Sequence, residues 1–271
     1  MQPRPAGHQE ASDSQPAQAG VSAQRRDLRL DLERRRRLGM VEAIWGEHKN
    51  LEQLLAALQG LRQGQEICLV TRLAAERADA LLAMLPSGGL DPGAYRHHAD
   101  ARCLVSHPLP EPDPALAPVA ILAGGSSDLA VAAECRLALA CHGIAADLVL
   151  DVGVAGLHRL LNQLEALRRA PLLIACAGME GALPTVLAGL LPQPVIGVPV
   201  SVGYGVSAGG QAALQGMLAS CAPGLCVVNI DNGYGAAMAA LRILRGSTTP
   251  SPQGPGFGCL QFEHGGQPEG Q

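Results

Sequence analysis

From about residue 119 to 245 the chain alternates two kinds of apolar pattern. Short runs of Val, Ile, Leu, Ala and Cys, nearly free of polar interruption, stand at 119–123, 148–152, 172–176, 195–198 and 225–230. Between them lie Ala- and Leu-rich stretches that predict helices at 129–141, 155–167, 183–190 and 209–219, with a last helix after Tyr234. A strand apolar on both faces belongs to a parallel sheet covered on both sides, because a half-wet sheet alternates apolar and polar positions. Five such strands joined by helical crossovers predict an α/β fold built on a doubly wound parallel sheet.

The pattern before this is shorter and more polar. A charged helix through Arg34-Arg35-Arg36-Arg37 is followed by a β-like run at 41–45 and a helix from Asn50 to about Leu61. A strand at 67–71, a helix at 74–85 and a strand at 101–106 complete a small N-terminal α/β module over 27–107. Residues 108–118 are Pro-rich and read as a stiff linker to the larger domain at 119–245. Residues 1–26 and 246–271 are rich in Gln, Ser, Pro and Gly and read as disordered tails.

Composition narrows the class. Aromatics make up 2% of the chain, so the core must be built from aliphatic side chains. The net charge of −4 makes no electrostatic case for nucleic acid or membrane. No apolar stretch reads as a membrane span and no secretory leader opens the chain, so a cytoplasmic protein is expected. The eight cysteines form no CxxC pair and no zinc-ribbon spacing, so reduced thiols and no metal centre are expected. Cys135, Cys141, Cys176 and Cys226 fit buried core positions, whereas Cys221, ahead of the helix-breaking Pro223-Gly224, need not be buried.

In an open parallel sheet, ligands bind beyond the carboxyl ends of the strands, and several unusual residues of this chain fall there. After the first strand come Gly124, Gly125, Ser126, Ser127 and Asp128 ahead of a helix, a phosphate-loop pattern in which Ser127 or Asp128 is equally a helix N-cap. After the second strand come Asp151 and the pair His158-Arg159. These are a proton shuttle and an anion fork, or a solvated pair in a helical turn. After the third strand Glu180 lies between Gly178 and Gly181, in an apolar setting that suits a general base; a carboxylate complementing the helix dipole is the alternative. Tyr204 sits in a glycine-rich loop after the fourth strand, and Asn229 and Asp231 follow the fifth.

Taken together, the runs GGSSDLAVAAE, DVGVAGLHRLL, AGMEGALPTV, PVIGVPVSVGYG, SCAPG and VVNIDNGYGAA resemble the LarB family, as do RRRRLGMVEAIWGEHK and VTRLAAERADAL in the N-terminal part. The resemblance covers about residues 30–245. The C-terminal half alone is similar to the AIR carboxylases of purine synthesis, the PurE family, whose core is of the flavodoxin type. It departs from them at Gly125 and at Gly156-Leu157, where that family carries Ser and Ser-Ala, and in having Cys221 and an N-terminal module.

The LarB resemblance implies a two-part reaction. Nicotinic acid adenine dinucleotide is carboxylated with CO2 at pyridinium C5, and water cleaves its phosphoanhydride. The products are pyridinium-3,5-biscarboxylic acid mononucleotide and AMP, the start of a nickel-pincer cofactor. The resemblance gives Cys221 the nucleophile's role, by addition to C4. Glu180 or His158 would take the C5 proton. Gly124, Ser126, Ser127, Asp128, Asp151, Arg159, Tyr204, Asn229 and Asp231 would bind substrate, with Lys49 and Arg72 as weaker candidates. No tightly bound cofactor is implied, and Mg2+ enters only as an option in the hydrolytic step. A homo-oligomer, an octamer as in the AIR carboxylases, is expected. The rival readings are an AIR-carboxylase-like enzyme of purine biosynthesis and a non-catalytic nucleotide-binding module.

Overall fold

The computed structural model describes residues 28–248. The stretches 1–26 and 249–271, read as tails, lie outside the described residues, while 246–248 continue the last helix.

The N-terminal part contains α1 (Arg34–Leu38), β1 (Ala43–Trp45), α2 (Leu51–Gln63), β2 (Leu69–Thr71), α3 (Ala75–Met84), β3 (Tyr95–His98) and β4 (Cys103–Ser106). Asn50 starts α2 by a capping box: its side chain accepts the Gln53 N–H at 2.8 Å, and the Gln53 side chain accepts the Asn50 N–H at 3.0 Å. The strands form a four-stranded mixed sheet in the order β1-β2-β4-β3. Strand β3 was not legible in the sequence. Arg96, His97 and His98 look like loop residues, and they pair because β3 is an edge strand hydrogen-bonded along β4.

The second part contains β5 (Val119–Ala123), α4 (Leu129–Ala140), β6 (Ala146–Val149), α5 (Leu157–Leu161), α6 (Leu164–Leu167), β7 (Leu173–Ala177), α7 (Ala182–Leu190), β8 (Val195–Pro199), α8 (Gln211–Leu218), β9 (Leu225–Val227) and α9 (Gly233–Thr248). All five strands are parallel, in the order β6-β5-β7-β8-β9, which is the doubly wound sheet that the apolar runs predict, in the flavodoxin-type order that the resemblance implies. Two details differ from the sequence reading. The helix expected over 155–167 is two short ones, broken at Asn162 and Gln163, of which Asn162 is a weak helix former. The last strand ends at Val227, and Asp231 beyond it takes a left-handed φ of 54°.

Side-chain alternation along the strands separates the cores. Val119, Ile121 and Ala123 pack with residues of α4 and α9, while Ala120 and Leu122 pack with Leu160, Leu183, Leu187 and Met217 on the other face. The four-stranded sheet joins the same central layer through Leu69, Cys103 and Val105, and its Ile44, Val70 and Leu104 face α2 and α3. The result is helices, mixed sheet, α4 with α9, parallel sheet, helices, with one continuous apolar cluster through the middle. The Pro-rich segment is held to this body: Leu109 and Leu116 pack on the central core, and the Asp113 N–H donates to the Gly143 carbonyl at 2.8 Å. Among the described residues no helix is long and apolar enough to cross a membrane.

Candidate active site

In the order β6-β5-β7 the connections leave β5 and β7 toward opposite faces of the sheet, and a crevice opens between their carboxyl ends. A cavity of about 470 Å³ lies there. Its wall is made by the loops after β5, β6, β7 and β8: Gly124, Gly125, Ser127 and Asp128, then Gly153 and Arg159, then Met179 and Glu180, then Val202 and Tyr204. A cavity of similar size, about 500 Å³, lies at His98, Pro110 and Arg136 and is lined by none of these loops.

Glycines permit this convergence. A Cβ at Gly153 would stand 2.6 Å from the Gly124 carbonyl oxygen, and one at Gly178 would stand 2.2 Å from the Val202 carbonyl oxygen. Both neighbours are backbone and cannot swing away, so the loops meet only because these positions lack side chains. The turns after β6 and β7 also hold Asp151 and Met179 at left-handed φ of 57° and 53°. Strained backbone of this kind clusters where function over-determines the geometry.

The charged groups divide by burial. Asp128 is 5% exposed, and its carboxylate accepts the Gly125 N–H at 2.9 Å, closing the loop on itself. Burial pushes its carboxyl above the ordinary carboxylate range, against the pull of the Gly125, Gly178 and Gly124 N–H groups. Arg159 reaches the cavity and donates to the Asp151 carboxylate. Glu180 lines the cavity but is exposed, not set in apolar surroundings as the flanking glycines suggested. Its carboxylate makes no hydrogen bond or ion pair among the described residues.

Several sequence candidates stand outside this cavity. Ser126 and His158 are exposed and do not line it, although Ser127 and Arg159 beside them do. Cys221 is exposed, in the turn between α8 and β9, next to Ser220, whose hydroxyl accepts from Thr185 at 2.8 Å. The thiol does not line the cavity of its own chain. Cys135, Cys141 and Cys176 are buried as expected, but Cys226 is exposed because β9 is the edge strand. Among the described residues no three His, Cys, Asp or Glu side chains gather as a metal-binding group.

A second group meets at the seam between the two sheets. Asp231 accepts the Ser201 N–H at 2.8 Å through its side chain and a bond from Arg72 at 2.7 Å through its carbonyl. Asn229 and Arg72 line the same recess, while Lys49 is half-buried and lines none of these cavities. Glu134 also lines the seam. It is 6% exposed and accepts the Tyr234 N–H at 2.9 Å, and burial raises its carboxyl above the ordinary range. Glu134, Trp45 and Arg102 were not singled out from sequence. The signal was faint: a lone carboxylate in an Ala-rich helix, and a lone tryptophan.

Comparison with known proteins matches both halves. Residues 24–108 match the LarB/PurE-like N-terminal domain, and residues 118–251 match AIR carboxylase. An uncharacterized protein of Methanocaldococcus jannaschii is 36% identical over 215 residues, covering 79% of this chain and 82% of that protein. The chain belongs to the LarB family. An N5-carboxyaminoimidazole ribonucleotide mutase of the same organism is 35% identical over 133 residues, covering 46% of this chain and 78% of the mutase. The LarB family joins the AIR carboxylase domain to its own N-terminal domain, and it supports a carboxylase-type function on a nucleotide with CO2.

Proposed function

We propose that this LarB protein carboxylates nicotinic acid adenine dinucleotide at pyridinium C5 and hydrolyses its phosphoanhydride, giving pyridinium-3,5-biscarboxylic acid mononucleotide and AMP. The observation that carries the reading is the switch-point cavity, where an anion loop, Arg159 and a free carboxylate converge in a LarB chain that also exposes Cys221.

The pyridinium ring is too electron-poor to attack CO2. Addition of the Cys221 thiolate to C4 forms a C–S bond and turns the ring into an enamine. C5 then carries the electron pair that forms the new C–C bond to CO2. A base removes the C5 proton, the C–S bond breaks, and the thiolate leaves as aromaticity returns. Glu180 serves as that base better than His158, because it lines the cavity with an unengaged carboxylate. The loop from Gly124 to Asp128 presents the Ser126 and Ser127 N–H groups and the Ser127 hydroxyl to a phosphate, its other N–H groups being bonded within the protein, and Arg159 neutralises the phosphate charge. Asp128 holds the loop in shape. Water cleaves the anhydride, and AMP departs.

Because the thiol stands outside the cavity of its own chain, the reaction needs the assembled protein to bring it to the ring. We propose a closed homo-oligomer, an octamer, with that role. The test is to incubate the protein with the dinucleotide and labelled bicarbonate and to identify products by mass. Carboxylated mononucleotide together with AMP supports the reading, and their absence from a protein of octameric mass overturns it. The mutase relative favours a second reading, carboxylation of an aminoimidazole ribonucleotide, and the same assay with that substrate decides between them.

A further inference from the structure

The turn that carries Cys221 is fastened to the helix that follows Glu180. Ser220 comes just after α8, and its hydroxyl accepts the Ala222 N–H at 3.1 Å. A serine bonded to the main chain two residues on closes a tight turn, and Cys221 is the residue that this turn spans. The same Ser220 oxygen accepts from the Thr185 hydroxyl at 2.8 Å. Thr185 stands in α7, 35 residues earlier in the chain. A helical threonine commonly gives its one hydroxyl proton to a carbonyl of its own helix, one turn back. Thr185 gives it to the turn after α8 instead. Both lone pairs of the Ser220 oxygen are thereby filled, so the hydroxyl cannot swing to accept from elsewhere.

The same two helices are joined at a second level. A Cβ at Gly216 of α8 would stand 2.3 Å from the Glu180 carbonyl oxygen. One at Gly181, which starts α7 at a left-handed φ of 68°, would stand 2.7 Å from the Ala213 carbonyl oxygen. The Glu180 turn and α8 therefore meet main chain to main chain. Met217 of α8 and Leu183 and Leu187 of α7 are buried in one core. The turn holding Glu180 and the turn holding Cys221 thus belong to one packed unit. Cys226, the other exposed thiol among the described residues, has no such fastening: its sulfur contacts only the Gly224 carbonyl, at 4.0 Å.

Aim matters for this thiol. Addition to pyridinium C4 requires the sulfur over the ring in one direction, and a misplacement of about 1 Å costs on the order of a hundredfold in rate. An exposed thiol in an unfastened turn would sample many directions.

We propose that Thr185 is a positioning residue for the carboxylation, aiming the Cys221 thiol through the Ser220 hydroxyl. This rests on the covalent reading above. Thr185→Val removes the donated proton and keeps the branched shape, whereas Thr185→Ser keeps the donor. The full-length proteins are compared by steady-state carboxylation and by the absorbing adduct with oxidised nicotinamide dinucleotide. Iodoacetamide alkylation of Cys221 is mapped by peptide mass, with Cys226 as the internal reference. Thr185→Val should lower kcat and the adduct rate about ten- to a hundredfold and leave KM unchanged. The alkylation ratio of Cys221 to Cys226 should stay the same, because a small reagent reaches an exposed thiol from any side. Thr185→Ser should return kcat to within about threefold of the wild type. Ser220→Ala, which loses both bonds, should fall at least as far as Thr185→Val. Unchanged kcat in Thr185→Val and Ser220→Ala overturns the proposal. An alkylation ratio that falls in step with kcat also overturns it, since the bond would then govern exposure and not direction. A wild type that forms neither product nor adduct fails the covalent reading and takes this inference with it. A wild-type adduct rate that Thr185→Val matches fails this inference alone.

Discussion

The carboxyl end of the five-stranded parallel sheet and the seam beside the four-stranded mixed sheet are neighbours, and they are built by opposite means. The parallel sheet offers backbone: Gly153 and Gly178 let neighbouring loops close on one cavity, and side chains carried by those loops finish it. The mixed sheet offers reach: Trp45, Arg72 and Arg102 line the seam, and Arg72 meets the Asp231 carbonyl at 2.7 Å. The cause is topology. A strand order that reverses opens a crevice into which main-chain N–H groups point. A mixed sheet has no such crevice and can contribute only through long side chains.

The largest effect expected lies with the thiol. Cys221→Ser keeps the shape but replaces the proposed nucleophile by a far weaker one. Carboxylation measured by product mass should fall by at least about a thousandfold. The absorbing adduct that the wild type is expected to form with oxidised nicotinamide dinucleotide should vanish with it. Near-normal carboxylation in the variant would end the covalent mechanism and leave the parallel-sheet loops to act without this thiol.

Next in size is the cavity cation. Arg159→Ala removes a charged donor worth roughly 1.5–3 kcal/mol, so substrate Kd by calorimetry should rise about 10- to 150-fold. Circular dichroism should be unchanged, because Arg159 is partly exposed and its partner Asp151 is exposed as well. An unchanged Kd would remove Arg159 from the binding site.

The smallest effect tests how the two sheets hold together. The His142 Nε2 accepts the Val41 N–H at 3.0 Å and its Nδ1 donates to the Ala138 carbonyl at 2.7 Å, so the ring serves the seam in its neutral form. Burial lowers its pKa from the ordinary 6.5, and the Arg245 and Arg35 charges act in the same direction, against the Ala138 bond. The unfolded chain therefore takes up this proton at higher pH than the folded one. The ring's contribution to stability is full above about pH 6.5 and is lost as pH falls below that toward the folded value. Melting between pH 7.5 and 5.5 should drop by on the order of a few degrees, and by less in His142→Gln, where the amide accepts without titrating. Equal drops in the two proteins would exclude His142 as the source. Asp128 and Glu134, whose carboxyls are raised, act in the opposite sense and are common to both proteins.

The amino-acid sequence alone determined the five strands, their parallel pairing and the loops that face the crevice. Unbroken apolar runs demand cover on both faces, and glycine-rich turns can be read without knowing what they touch. It also carried the family pattern over both halves. It could not reveal β3, whose polar residues pair only because an edge strand lies beside β4. It misplaced Glu180 and Cys226, which look apolar from their neighbours in the chain and prove exposed in space. Above all it could not assemble the seam. Trp45, Arg72, Arg102, Glu134 and Asp231 are scattered over nearly the whole described chain, and no local pattern marks them as a set. They meet because the central layer of α4 and α9 buries apolar side chains of both sheets at once, and that shared burial is a property of the packed fold.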